Sequence, residues 1–298
     1  MPNAKLKNYL HLHFLVFIAG FTAILGELIT ITAIPLVWFR MVMAIVLMFI
    51  YIKIVGISIN ISFKYMTRYA FAGVIIALHW ITFFGSIDEA NISIALVMFS
   101  TGSFFASIIE PIIFKRKVIP YEIIFGILVI IGVLIITQSE IKFLTGILLG
   151  LVSAFLAALF AVFNGKFLEQ NSATVISFYE FIGGILFITV FIALFGEGFS
   201  EDFFYLSTID YGYLFILASV CTAYAFIAAV YVMKYHSPYT VVLTYNLEPI
   251  YGIMLALILF PEKENMSSEF YLGAVLIIAT VLINGIIKNS KKLKRKTT

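Results

Sequence analysis

The sequence predicts an all-α integral membrane protein in which ten transmembrane helices form two inverted five-helix repeats. Three observations support this prediction: a hydrophobic composition, the recurrence of long apolar segments, and an uneven distribution of charge among the connections. Of the 298 residues, 62% are hydrophobic and only 12% are charged, and the mean hydropathy is +1.09. Soluble proteins carry about 25% charged residues. The composition therefore excludes an ordinary soluble domain.

Apolar segments long enough to cross the hydrocarbon core recur from one end of the chain to the other. Their continuous apolarity favours helices, because a lipid-facing barrel strand would alternate over about 10 residues. No small-residue cleavage site follows the first segment, so we expect a first helix and not a removed signal peptide. We place the ten spans at residues 12–30, 34–54, 69–87, 92–114, 121–138, 146–166, 173–195, 211–233, 238–260 and 270–288.

The distribution of Lys and Arg predicts the orientation of these spans. With the N-terminus placed inside, sixteen basic residues fall in cytoplasmic segments and only Lys142 and Lys263 fall outside. This bias over short loops is the positive-inside signature, and it supports an even number of spans. We therefore expect a multi-pass protein of a bacterial-type inner membrane with both termini in the cytoplasm. The segment 289–298, which is rich in Lys and Arg, is predicted to form a basic cytoplasmic tail near anionic lipid.

The two halves of the chain resemble each other, so we predict a first repeat at residues 1–142 and a second at 143–288. Because each half has five spans, an odd number, the second half must insert upside down relative to the first. Inverted repeats are typical of transporters, whose substrate site lies near the midplane between the repeats. The corresponding segments are Ile94–Gly102 with Val241–Pro249, Tyr121–Ile136 with Glu269–Asn284, and Trp38-Phe39-Arg40 with Phe178-Tyr179-Glu180.

The ninth span is unusual because its middle is polar. The apolar segment Val241–Glu262 carries Asn246, Glu248 and Pro249 near its centre. Burying an ionisable carboxylate at that depth costs several kcal/mol unless it faces a cavity or a partner. Pro249 removes a backbone donor and loosens the helix beside it. This midpoint indicates a path for something polar.

Short motifs recur along the whole chain, namely Gly20-Phe21-Thr22, Phe39-Arg40, Asn246-Leu247-Glu248-Pro249 with Glu262 thirteen residues later, and Gly126, Gly132 and Gly273. Together they resemble the drug/metabolite transporter superfamily, EamA type. Thr101-Gly102 and the cluster Lys115-Arg116-Lys117 depart from the family pattern in and after the fourth span. The resemblance implies ten helices in two repeats and alternating-access transport of small metabolites, often export of amino acids or related compounds.

Glu248 is the first candidate for a substrate-binding residue. In one interpretation it binds a proton or a cationic group, while Asn246 and Tyr245 supply hydrogen bonds. In the other interpretation it stays protonated and bonds a backbone group freed by Pro249. Thr101 aligns with Glu248 in the first repeat, and its hydroxyl can bond either substrate or a backbone carbonyl.

The other charged residues within spans have two interpretations each. Arg40 can attract a substrate carboxylate by bidentate contact, or it can pair with Glu27 as a structural tie. Glu110 and Glu180 lie near the cytoplasmic face, at a depth where Lys166 can pair with either one. Such a pair can act as a gate, or the side chains can reach the interface independently.

Aromatic residues near the middle of two spans are candidates for the lining of a cavity. His79 and Trp80 lie in the third span and Tyr224 in the eighth. Such rings can stack on a planar or apolar substrate, or they can pack against lipid and neighbouring helices. His79 can titrate in a coupling role, or it can be an interior histidine held by a hydrogen bond.

The sequence predicts no cofactor, no metal and no enzymatic activity. It lacks the GxxxxGK[ST] phosphate loop and the HExxH zinc motif, and its single cysteine excludes an intramolecular disulfide. We expect a small-molecule substrate and membrane lipid as partners and no nucleic acid. Proton coupling and a homodimer formed through the fifth and tenth spans are hypotheses. The alternatives to amino-acid transport are nucleobase, nucleoside or drug export, an intramembrane enzyme, and a lipid scramblase.

Overall fold

The computed structural model describes residues 2–115, 117, 120–196 and 198–294, and it contains no strand in these ranges. Arg116 of the basic cluster and residues 295–298 of the predicted basic tail lie outside the described residues. The helices are α1 (Pro2–Leu28), α2 (Ala33–Val55), α3 (Phe63–Glu89), α4 (Ile92–Ser100), α5 (Gly102–Ile113), α6 (Pro120–Ser139), α7 (Leu144–Phe167), α8 (Ala173–Phe195), α9 (Glu201–Phe204), α10 (Thr208–Ala218), α11 (Ala225–Val232), α12 (Pro238–Tyr245), α13 (Glu248–Leu259) and α14 (Ser268–Lys294). A 3₁₀ turn at Ile141–Phe143 precedes α7, and a π-helical turn at Ser219–Tyr224 joins α10 to α11.

Local sequence signals explain where several helices begin and end. The Asn91 side chain accepts a hydrogen bond from the Ile94 amide at the start of α4. Ser237 does the same for Thr240 at the start of α12 and is followed by proline at the first helical position. Both are preferred N-terminal arrangements. Helix α2 ends at Gly56, whose φ of 72° is a left-handed conformation that glycine adopts without strain.

Besides the eighth span with its π-helical turn, two of the predicted spans are interrupted near their middles. The fourth span divides at Thr101 into α4 and α5, and the ninth divides at Asn246 and Leu247 into α12 and α13. At both breaks the amides bond the carbonyl three residues back, as the pairs Thr101–Met98 and Asn246–Leu243 show. These tightened turns lie at nearly equivalent positions of the two aligned segments.

The predicted all-helical membrane fold is confirmed, and the number of ten spans remains a prediction. Within the described residues, eight segments are helical, long and apolar enough to cross a membrane. The fifth and tenth predicted spans correspond to shorter apolar stretches, Ile124–Ser139 of α6 and Ser268–Asn284 of α14.

Helix α3 is central, because it packs along both α7 and α8. The contact with α8 is close enough to require glycine. A Cβ atom added at Gly73 would overlap the Glu180 backbone, and one at Gly183 would overlap the Ala70 backbone. Helices α6 and α14 pack against each other at the side of the bundle, where Gly132 and Gly273 meet. This contact is within one chain, so the dimer predicted through these two helices remains a hypothesis.

Carboxylates tie the helix ends together at the side predicted to face outwards. Each one accepts hydrogen bonds from the start of a helix or the turn before it, where backbone amides have no helical partner. The bonds are Asp88 with the Ala33 amide, Asp210 with the Thr30 amide and hydroxyl, Glu264 with the Ile92 and Ser93 amides, and Glu140 with the Ser267 amide. At one end of the bundle, the bonds of Asp210, Glu264 and Glu140 connect segments of the two predicted repeats, whereas the Asp88 bond lies within the first repeat.

Candidate functional site

A cavity of about 140 Å³ lies inside the bundle. Its walls come from α1, α2, α3, α7, α11, the π-helical turn and both halves of the interrupted fourth and ninth spans. Six residues predicted as substrate-binding line this cavity: Arg40, His79, Trp80, Tyr245, Asn246 and Glu248.

Arg40 is held in the cavity wall by three contacts. Its Nε donates to the Thr222 hydroxyl oxygen at 2.5 Å, and its Nη2 donates to the Cys221 carbonyl at 3.4 Å. The guanidinium carbon lies 4.0 Å from the centroid of the Trp80 ring, a distance typical of a cation–π contact. Nη1 is buried and has no hydrogen-bond partner among the described residues. Arg40 is therefore positioned with one donor group available.

Glu248 and Asn246 contribute polar groups from the break in the ninth span. Both are buried, at 5% and 2% exposure, and the Asn246 Nδ2 has no hydrogen-bond partner in the described part of the chain. Glu248 lies close enough to Arg40 for electrostatic attraction, although the two described side chains form no salt bridge. The cavity thus contains a guanidinium, a carboxyl group and an unpaired amide.

Aromatic rings form much of the remaining wall. Trp80 contacts Phe226 edge-on, with ring centroids 6.0 Å apart. The ring centroids of Phe160 and Phe226 are also 6.0 Å apart. His79 packs against Phe99 with centroids 5.5 Å apart. Its Nδ1 lies 2.8 Å from the Ser153 hydroxyl oxygen, so the ring is fixed against α7. This wall suits an apolar or planar group.

The structure places two predicted binding residues away from the cavity. Tyr224 is 45% exposed, and its hydroxyl lies 2.9 Å from the His11 Nε2. Phe226, two residues later, lines the cavity instead, because side chains two positions apart point to different faces of a helix. Thr101 is buried, and its hydroxyl donates to the Met98 carbonyl at 2.6 Å. The adjacent Gly102 lines the cavity in its place.

The ion pairs differ from those proposed from sequence. Glu27 pairs with Lys263 at 2.5 Å and not with Arg40, which lies deeper in the bundle. The hydrogen bond to Glu27, with the charge of that carboxylate, raises the pKa of Lys263 above its usual 10.5. Lys166 pairs with Glu169 at 2.8 Å, three residues later, and not with Glu110 or Glu180.

Glu110 and Glu180 are both buried. Glu110 precedes Pro111 within α5. Glu180 is 0% exposed, and its carboxyl group lies near the Asn164 side chain, although neither group has a hydrogen-bond partner in the described part of the chain. Asn164 itself lines the main cavity. Glu180 therefore lies behind the cavity wall, next to the close contact between α3 and α8.

A second, polar cavity of about 610 Å³ lies at the predicted outer end of the bundle. Charged residues of both signs line it, including Glu27, Asp88, Lys142 and Lys263. The described residues contain no group of three His, Cys, Asp or Glu side chains that could hold a metal ion.

Several cavity residues were not identified from sequence. Asn164, Cys221 and Phe160 line the cavity, and Thr222 holds Arg40. Asn164 is a polar residue in an apolar span, which is a usable signal. Phe160 is one of 31 phenylalanines, and Cys221 and Thr222 are small residues within an apolar span, so composition alone does not identify them.

Comparison with known proteins supports both the fold and the class. The model of the EamA-like transporter family matches residues 7–138 and 144–286. No curated protein sequence matches this chain, whereas 27 solved chains match it in structure. One of them, titled "Crystal structure of protein", aligns at a TM-score of 0.68 over 95% of this chain and 98% of its own length, with 12% identity. That likeness shows the fold alone.

Proposed function

Because this chain belongs to the EamA-like transporter family, within the drug/metabolite transporter superfamily, we propose that it binds and carries small metabolites in the cavity of about 140 Å³. The proposed site consists of Arg40, Glu248 and Asn246 with the aromatic wall. The observation that carries the proposal is that buried groups of opposite charge line one cavity, an arrangement that is costly without a functional or structural reason.

Amino acids are the proposed substrate class. The Nη1 group of Arg40 provides a donor for a carboxylate, and the Glu248 carboxyl group accepts a hydrogen bond from an ammonium group. The Trp80, Phe160 and Phe226 rings then surround an apolar side chain. In this proposal Glu248 also exchanges a proton with the substrate or with solvent, which would couple transport to a pH gradient.

Alternating access is the proposed mechanism, with net export or exchange across the inner membrane. Two features support it. The cavity extends along α7 and α11 to Asn164 and Met233, near the helix ends predicted to be cytoplasmic, while carboxylate bonds and the Glu27–Lys263 pair tie the opposite ends together. The helix breaks at Thr101 and Asn246 provide places for the two predicted repeats to bend.

A second candidate substrate class is nucleobases, nucleosides or planar drugs. The aromatic wall favours it, because stacked and edge-on rings bind planar heterocycles. In this alternative Glu248 and Asn246 would hydrogen-bond the edge of the ring system, and Arg40 would have no anionic partner on a neutral base.

Flux into liposomes containing the purified protein tests these proposals. A panel of labelled amino acids and nucleobases is presented to wild type and to Glu248→Gln, with and without a pH gradient. We expect saturable amino-acid flux in wild type, its loss in Glu248→Gln, and its retention in the control Tyr224→Phe, which lies outside the cavity. Unchanged flux in Glu248→Gln would remove Glu248 from the site. Flux of nucleobases alone would favour the second candidate, and flux of neither would contradict both substrate classes.

A further inference from the structure

The π-helical turn Ser219–Tyr224 interrupts the eighth predicted span directly beside Arg40. Such turns are rare inside α-helices and occur frequently at functional sites. Here the turn supplies both hydrogen-bond acceptors of the Arg40 guanidinium, the Thr222 hydroxyl and the Cys221 carbonyl. The irregular backbone and the buried arginine therefore meet at one point.

The hydrogen-bond pattern of the turn explains why a backbone carbonyl is free to accept from Arg40. In a regular α-helix the Ala225 amide would bond the Cys221 carbonyl, four residues back. Instead, the Ala225 amide bonds the Thr222 and Val220 carbonyls. The Cys221 carbonyl is left without its helical donor, and it accepts from Nη2 of Arg40.

The Thr222 side chain is fixed in the orientation that accepts from Arg40. Its hydroxyl donates to the Leu217 carbonyl, five residues back, at 2.6 Å. Since a hydroxyl has one hydrogen, its oxygen can only accept from the Arg40 Nε. Thr222 is 0% exposed, so no solvent contact competes with this bond.

We propose that the π-helical turn is the positioning element of the transport site, and that Thr222 sets which edge of the Arg40 guanidinium faces the cavity. Nε and one side of Nη2 are bound by the turn, and the Trp80 ring covers one face. The Nη1 edge is left for the ligand, and it selects a carboxylate over the corresponding carboxamide. The carboxylate preference rests on the proposed function, while the position of Arg40 does not.

Trp80 provides a measure of the Arg40 position that needs no substrate. The chain has two tryptophans, and Trp38 lies away from the cavity, where its Nε1 donates to Thr189. In a Trp38→Phe background, the fluorescence emission therefore comes from Trp80 alone. An Arg40→Met variant in this background gives the emission of a Trp80 ring without a cation stacked on it.

Two substitutions at Thr222 separate hydrogen bonding from shape. Thr222→Val keeps the branched shape and removes the acceptor, whereas Thr222→Ser keeps the acceptor. We expect Thr222→Val to shift the Trp80 emission towards that of Arg40→Met, and Thr222→Ser to restore the parent emission. We also expect Thr222→Val to raise the KM for a carboxylate substrate about tenfold relative to its carboxamide, which corresponds to one lost hydrogen bond to a charged group. Thr222→Ser should restore most of this ratio.

The outcomes distinguish this inference from the proposed function. The positioning role would be overturned if Thr222→Val had the same Trp80 emission as the Trp38→Phe parent. It would also be overturned if Thr222→Val and Thr222→Ser changed that emission equally. A rise in KM for carboxylate and carboxamide alike, or a fall in maximal flux alone, would overturn the selection by the Nη1 edge. A shifted emission in a protein that carries no carboxylate substrate would support the positioning role and contradict the amino-acid proposal.

Discussion

At the scale of single residues, the candidate site is a set of buried polar groups that do not make all of their possible hydrogen bonds. Within the described residues, neither the Arg40 Nη1 nor the Asn246 Nδ2 has a hydrogen-bond partner. Buried polar groups are normally hydrogen-bonded because leaving one unpaired costs about 1–3 kcal/mol. These unpaired donors are the groups that we propose bind the ligand.

The aromatic wall gives the first prediction. Phe226→Ala removes a ring from the cavity and should raise the KM for transported substrate about tenfold or more, because burying an aromatic ring is worth roughly 1.5–3 kcal/mol. Phe215→Ala is the matched control, since Phe215 is 56% exposed on the preceding helix and does not line the cavity. Initial rates in liposomes measure both. Equal effects of the two substitutions would contradict the assignment of the cavity face.

The Glu27–Lys263 pair gives a prediction about stability and pH. Because the pKa of Lys263 is raised by Glu27, the pair stabilises the fold below the ordinary lysine pKa and loses this effect as the pH rises through the raised value. Lys263 is mostly exposed, so the contribution should be at most about 1 kcal/mol. Thermal unfolding in detergent should show a slightly lower Tm for Lys263→Gln at pH 7.

High salt and high pH are the controls for that pair. The difference in Tm between wild type and Lys263→Gln should shrink in concentrated salt, which screens exposed charges. It should also shrink above the lysine pKa. A Tm difference that is independent of both conditions would show that Lys263 acts through packing and not through its charge.

At the scale of helices, close backbone approach fixes the position of α3 against α8. A Cβ atom at Gly73 has no space, because it would overlap the Glu180 backbone. Glycine at such a crossing lets two helices pack at short range, as it commonly does between transmembrane helices. This contact lies directly behind the cavity, so it sets the positions of Trp80 and the Glu180–Asn164 cluster.

Two glycine substitutions test this contact. Gly73→Ala should destabilise the protein by about 1–3 kcal/mol, the usual cost of overpacking, and should also reduce flux because α3 carries His79 and Trp80. Gly212→Ala is the control, because a Cβ atom there meets nothing within 4 Å. It should leave Tm unchanged or slightly higher. Comparable losses of Tm in both variants would contradict the close α3–α8 packing.

The sequence predicts the helices far better than it predicts which of their faces meet. Span positions follow from hydropathy, because the length of an apolar segment is set by the bilayer. Arg40, Glu248 and Trp80, which are conspicuous within apolar spans, line the cavity. Tyr224 lies outside the cavity, and the sequence does not show this because lipid-facing and cavity-facing positions are both apolar or aromatic here. The Glu27–Lys263 pair joins residues 236 positions apart, and no local pattern reports such a contact.

At the scale of the whole molecule, orientation in the membrane depends on the positive-inside bias. In the Cys221→Ala background, Lys64→Cys and Lys142→Cys introduce single thiols at exposed positions in predicted cytoplasmic and external connections. A membrane-impermeant maleimide added to intact cells should label Lys142→Cys and not Lys64→Cys, and disruption of the membrane should expose both. The reverse pattern in intact cells would contradict the predicted orientation.

The most direct test of the account is whether substrate occupies the cavity between Arg40 and Glu248. Cys221 is the only cysteine and lines this cavity, so the rate of its labelling by N-ethylmaleimide reports access to the site. A substrate identified by flux should slow labelling in a saturable way, with half-protection near its KM, and Cys221→Ala should not be labelled. Labelling that is unaffected by a transported substrate at saturating concentration would contradict the placement of the transport site in this cavity.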